Sequence, residues 1–115
     1  MRLFNETQGA LIAERLCLAD TFWKRLRGLL GTREFPAGNA LLIQPCSGVH
    51  MFGMRYPLDL LFVDDRDVVV ETVESLAPGR IKSCRRAAYV VELPCGAVES
   101  SRTRIGDRIK VVQTG

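Results

Sequence analysis

Histidine is all but absent from this chain of 115 residues, in which His50 stands alone. Blue-copper centres hold their metal with two histidines, a cysteine and a weak axial methionine, so this chain lacks the full set. The four cysteines, Cys17, Cys46, Cys84 and Cys95, are scattered. None forms the Cys-x-x-Cys pair that marks zinc knuckles and thioredoxin-like redox sites. There is no Gly-x-Gly-x-x-Gly, no phosphate loop ending in Gly-Lys-Ser/Thr and no Gly-x-Ser-x-Gly, which removes the motif-borne nucleotide and serine-hydrolase readings. Long apolar runs are missing too, and no stretch approaches the roughly 20 residues needed to span a bilayer. The opening Met1–Glu14 is interrupted by Asn5, Glu6 and Gln8 and lacks the apolar core of a secretory signal. A cytoplasmic protein with reduced thiols and no membrane partner is the resulting expectation. Charge of one sign is also scarce, at a net +3. The two basic stretches, Arg80–Arg86 and Arg102–Lys110, hold no aromatic residue between their cations. No strong nucleic-acid surface is therefore expected.

What remains is 47% hydrophobic and 25% charged, the composition of an ordinary globular protein. A single globular β-rich domain over residues 1–115 follows from that length. Short runs rich in Val, Ile, Leu and aromatics alternate with Gly, Pro and Asp clusters, a strand pattern. "RLFNE" and "ALIAERLCLA" flank "TQG" as a first hairpin, "ALLIQP" is a strand, and "LDLLFVDDRDVVVETVES" is a hairpin around an Asp-rich turn. "AAYVVELP" and "RIKVVQ" are later strands, with "LAPGRIKSCRR" read as a loop and "CGAVESSRTRIGD" as a turn-rich return. Only "DTFWKRLRGLLG" changes period: Phe22, Leu26, Leu29 and Leu30 share one helical face between an Asp20 cap and a Gly31 stop. The fold class is thus mainly β, an antiparallel sandwich or barrel of about eight short strands with one short α-helix at about residues 20–30.

The segment "CSGVHMFGMRYPLD" places Cys46, His50 and Met54 at equal four-residue steps. Soft sulfur ligands suit cuprous ion, yet without a second histidine the three read as packing, and no metal and no cofactor are expected. The more informative residue is Asp59. In "LDLLFVD" both strand faces are otherwise apolar, so a carboxylate is set into a strand buried on both sides. Such a group must be paired or hydrogen-bonded. Its candidate partners are backbone N–H groups at the turn after Pro57, or Arg55 and His50. Glu92 poses the same question, because "AAYVVELP" sets Tyr89, Val91 and Leu93 on one face and Val90 and Glu92 on the other. Were the two strands neighbours, Asp59 and Glu92 could line one cleft with His50 and Arg55.

"RGLLG", then "ALLIQPCSGVHMFGMRYPLDLLFVDDRDVVV", "LAPGR", "YVVELPCG" and "IGD" together resemble the domain of unknown function 192 family over nearly the whole chain. The family's pattern falls on Gly28, Leu29, Phe52, Met54, Pro57, Leu58, Asp59, Glu92, Leu93, Gly96, Gly106 and Asp107. The resemblance implies a compact β-rich domain with a short helix and carries no established activity. It also implies that His50 belongs to a variant of a motif that is more often Phe-Trp-Met, which counts against an indispensable histidine.

Three functional readings follow. One is a binding module for a small molecule or peptide, its groove lined by Phe52, Met54, Arg55, Tyr56, Asp59 and Glu92. The second is a metal-independent acid/base enzyme in which Asp59, His50 and Glu92 converge. The third is an assembly protein presenting the apolar 50–56 segment to a partner. Oligomeric state is left open by the sequence.

Overall fold

The computed structural model describes residues 1–19, 21, 28–29 and 31–114. The helix expected over residues 20–30 falls almost wholly outside the described residues. Ten strands are described: β1 (Arg2–Asn5), β2 (Ala10–Ala13), β3 (Arg15–Ala19), β4 (Asn39–Ile43), β5 (Gly48–His50), β6 (Leu58–Val63), β7 (Val69–Leu76), β8 (Ile81–Ser83), β9 (Tyr89–Pro94) and β10 (Ile109–Val112). A five-residue helix, α1 (Ala97–Ser101), lies within the segment read from sequence as a turn-rich return.

The strands form a five-stranded sheet of order β3-β4-β9-β6-β7, a three-stranded sheet of order β10-β1-β2 and a two-stranded ribbon of β5 and β8. Open edges at β3 and β7 make this a sandwich and not a closed barrel. The pairing is antiparallel with one exception: β3 and β4 run parallel, Arg15 opposite Asn39 through Ala19 opposite Ile43. A parallel pair requires a long crossover, and the segment from Ala19 to Asn39 supplies it. "ALIAERLCLA", expected as one strand, is two. The chain changes sheets at Glu14, where the N–H groups of Glu14 and Arg15 both donate to Gly38 O at 2.9 Å.

The hairpin β6–β7 forms as its sequence demands, and its turn is organised by Asp64, whose Oδ1 accepts from the N–H of Arg66 (2.9 Å) and of Val68 (3.0 Å). β6 is buried along its whole length, as the absence of a polar alternation in "LDLLFV" requires. One side of the large sheet packs on the small one, where Leu61, Val63, Val91 and Leu93 meet Leu3, Ile12, Ala13 and Ile109. On the other side Leu58, Leu60, Phe62 and Val90 are covered by Val49 and Met51 from the ribbon and by Leu29, Phe35, Met54 and Tyr56. Each fully buried Leu or Phe of this kind contributes about 1.5–3 kcal/mol of transfer free energy. The central pair β6–β9, covered on both sides, is therefore the most strongly determined part of the molecule.

Candidate functional site

β6 and β9 are neighbours, with Asp59 opposite Leu93 and Leu60 opposite Glu92. Opposed residues of an antiparallel pair point to the same side, and successive residues alternate. Asp59 therefore faces the side of Leu61, Val91 and Leu93, while Glu92 faces the side of Leu60 and Val90. The cleft expected to hold both carboxyls does not form, and the sheet itself separates them.

Asp59 is fully buried, and both of its carboxylate oxygens accept backbone donors. Its Oδ1 accepts from Ser75 N–H (2.9 Å), and its Oδ2 from Gly96 N–H (3.0 Å) and Val98 N–H (3.1 Å). These donors are not the turn after Pro57, nor Arg55 or His50. They belong to a bulge of β7, where Ser75 has φ 55, and to the start of α1, where Gly96 has φ 95. No side chain next to α1 caps its first N–H groups, and Asp59 does so from across the fold. The carboxylate thus joins three segments of backbone.

Glu92 has 5% of its surface exposed, and its Oε1 has no hydrogen-bond partner among the described residues. Burial alone pushes this carboxyl up to about 7, so near neutral pH it is divided between a proton donor and an acceptor. Its cross-strand neighbours are Leu60 on β6 and Leu41 on β4, and Leu41 is in turn opposite Cys17 on the β3 edge. Burial falls off along that row, from Leu60 and Glu92, both buried, through half-buried Leu41 to exposed Cys17. Above the carboxyl stands Gly28, with φ 50, so near that a side-chain carbon there would lie 3.5 Å from Glu92 Oε1 and 4.0 Å from Ile43 Cδ1.

A surface cavity of 410 Å³ lies on the same side of the sheet, lined by Arg33, Glu34, Phe35, Ala37, Tyr56, Pro57, Pro94 and Cys95. Pro94 is two residues beyond Glu92 on β9, hence roughly 7 Å along the same face. Tyr56 is fixed in this wall: Thr32 Oγ1 donates to Leu29 O (2.6 Å), which leaves Tyr56 Oη to donate to Thr32 Oγ1 (2.6 Å).

The remaining candidates scatter. His50 is exposed at the ribbon, its ring centroid 5.4 Å from that of Phe52, which is 53% exposed. Arg55 is exposed, and Met54 packs among the apolar residues beneath the ribbon. Cys46 is half-buried with its thiol directed to Gly48 O (3.1 Å). Equal spacing along the chain has placed Cys46, His50 and Met54 in three different surroundings, and among the described residues no cluster of three His, Cys, Asp or Glu is grouped as metal ligands. Of the groove residues expected from sequence, Tyr56 lines the cavity, while Glu92 is outside its lining, two residues along β9 from the wall at Pro94. Arg33, Phe35, Pro94 and Cys95 were not anticipated, because residues 33–37 come to the cavity only through the fold.

The family model of the domain of unknown function 192, described as "Uncharacterized ACR", matches residues 4–111. A UPF0127 protein of Thermococcus sibiricus is 33% identical over 112 residues, covering 93% of this chain and 72% of that protein. A second UPF0127 protein, from Pyrococcus horikoshii, is 32% identical over 114 residues, covering 94% and 96% respectively. Among solved structures, a protein of unknown function from Novosphingobium aromaticivorans superposes with a TM-score of 0.83 at 19% identity. That alignment covers 96% of this chain and 84% of the other, a likeness of fold.

Proposed function

We propose that this chain, which belongs to the domain of unknown function 192 family, is a binding module for a small molecule seated between Phe35, Tyr56 and Pro94, with Glu92 as its polar anchor. One observation carries the reading: a carboxyl oxygen buried without a partner among the described residues, on the cavity's side of the sheet. A buried acceptor left unsatisfied costs about 1–3 kcal/mol, a cost that a ligand donating an N–H or O–H to it removes. Apolar walls with one or two convergent polar groups are the usual make-up of such sites. The ligand class is therefore an apolar or aromatic body bearing a hydrogen-bond donor.

The acid/base reading has lost its premise, since Asp59 and Glu92 occupy opposite sides of the sheet and His50 lies at the ribbon surface. Asp59 is already held by three backbone donors and faces the other side of the sheet from the cavity.

The test is a titration of isotope-labelled protein with benzamidinium and, separately, benzyl alcohol, followed by amide chemical shifts. Shifts are expected at Gly28, Tyr56, Glu92 and Cys95, and they should weaken in Glu92→Leu while Glu92→Gln retains part of the response. Shifts confined to other surfaces, or unchanged in Glu92→Leu, would overturn the assignment.

A further inference from the structure

Away from Glu92, one end of the molecule stands apart in charge. Residues 44–57 and 77–88 meet as the β5–β8 ribbon and its flanking turns. These 26 residues hold five of the chain's 16 Lys and Arg, its one histidine, and none of its 13 Asp and Glu. The remainder of the chain is consequently net acidic. Arg55, Arg80, Arg85 and Arg86 are exposed and Lys82 is half-buried. None of the five makes a salt bridge with a described residue, although Arg86 lies within electrostatic reach of Asp64.

Inside this basic field sits an apolar tip made of two turns. Met54 N–H donates to Met51 O, and Arg80 N–H to Ala77 O, each at 3.2 Å. The third residue of each turn is a glycine at positive φ, Gly53 at 79 and Gly79 at 85, as a type II turn demands. That geometry puts Phe52 at one corner and Pro78 at the other. The turns are stitched together by Met51 N–H to Arg80 O (2.7 Å) and Gly79 N–H to Met51 O (2.8 Å). Ile81 lies opposite His50, whose ring contacts Phe52. Phe52 is 53% and Ile81 65% exposed, while Val49 and Met51 beneath them are buried in the core. The tip is thus firmly mounted and its apolar groups face water.

We propose that this tip docks peripherally on an anionic bilayer, with Phe52, Pro78 and Ile81 entering the boundary between headgroups and acyl chains, and with Arg55 and Arg80 beside the tip and Arg85 and Arg86 further along the ribbon meeting lipid phosphates. Apolar burial and attraction to anionic headgroups act together in such docking, and each is too weak alone. Ile81 decides between lipid and nucleic acid. The most exposed large hydrophobic among the described residues is aliphatic, so it gains by entering hydrocarbon but offers no face on which a base stacks. A free phosphate compound would use the cations and leave Phe52 and Ile81 in water. Peripheral docking needs no spanning run, so the lack of one in the sequence does not bear on it.

Co-sedimentation of the full chain with extruded phosphatidylcholine vesicles containing about 30% phosphatidylserine tests the proposal, with pure phosphatidylcholine vesicles, inorganic phosphate and oligo(dT) as the other arms. Binding is expected to the anionic vesicles only, and it should fall as salt is raised. The double variant Phe52→Ser/Ile81→Ser should bind about tenfold more weakly with its salt dependence kept. The pair Arg85→Glu/Arg86→Glu should lose binding altogether. All the altered side chains are exposed, so both variants should fold, which circular dichroism checks. No binding to anionic vesicles, undiminished binding by the Phe52/Ile81 variant, competition by inorganic phosphate, or tighter association with oligo(dT) than with vesicles would each overturn it.

Discussion

Asp59 and Glu92 are two buried carboxyls on adjacent strands, within one residue of each other in register, and their environments are opposite. Asp59 has three backbone N–H donors and joins the bulge of β7 to the start of α1. Glu92 has an oxygen with no partner among the described residues and a carboxyl raised by burial to about 7. Burial alone is therefore no mark of a site. What separates a structural carboxylate from a functional candidate is whether the fold already supplies each of its oxygens with a donor.

Removing Asp59 should give the largest effect on stability. Asp59→Ala leaves three N–H groups without an acceptor and empties a side-chain volume in the core, for an expected loss of about 3–5 kcal/mol. Asp59→Asn keeps the shape but turns part of the acceptor into a donor facing other donors, and it should lose about 2–3 kcal/mol. Urea denaturation reads both, and hydrogen exchange should accelerate first at Ser75, Gly96 and Val98. A loss below about 1 kcal/mol for Asp59→Ala would erase the contrast with Glu92.

For Glu92 the expected sign is reversed and depends on pH. Burial lifts its folded pKa to about 7, above the ordinary 4.5 of an exposed glutamate. Below about 4.5 both states are protonated, and the group contributes no pH dependence. As pH rises from there to about 7 the unfolded chain ionises while the folded one holds its proton, so stability falls; above about 7 the loss is complete. The full difference corresponds to about 3 kcal/mol, so Glu92→Gln should equal the wild type near pH 4 and exceed it by up to that amount at pH 8. Denaturation midpoints at the two pH values provide the check. A variant no more stable at pH 8 than at pH 4, relative to wild type, would mean that the carboxyl is satisfied in solution.

The contrast could be only half seen in the sequence. Alternation along "LDLLFV" and "YVVELP" correctly assigns faces within each strand but marks only the first as buried on both sides; an edge strand with Glu92 in solvent is the commoner reading of the second, and β9 is instead central and buried. Whether Asp59 and Glu92 share a side depends on register, and a slip of one residue would have placed them together. The β6–β7 hairpin was legible because its turn chemistry is local. The helix α1 was not, since it has five residues and its N–H groups are capped by Asp59, 39 residues earlier than Val98. The β5–β8 ribbon escaped for a similar reason: each strand has three residues, and partners such as His50 and Ile81 are far apart in the chain. The cavity walls at Arg33, Phe35 and Cys95 likewise become neighbours only through the parallel crossover between β3 and β4 and the turn after β9.

Gly28 offers the smallest and most selective probe of the comparison. Its φ of 50 is a conformation in which an L side chain costs about 1–2 kcal/mol, so Gly28→Ala should destabilise by that amount whatever stands nearby. The added carbon would lie 3.5 Å from Glu92 Oε1, an ordinary contact that excludes solvent from the carboxyl without colliding with it. A double-mutant cycle separates the two contributions. In the Glu92→Gln background only the backbone cost remains, whereas in the wild type above pH 7 the ionised oxygen is also further desolvated. The coupling should be about 0.5 kcal/mol at pH 8 and vanish at pH 4. Coupling of equal size at both pH values would mean that Gly28 is required for shape alone, and that the close approach to Glu92 has no electrostatic consequence.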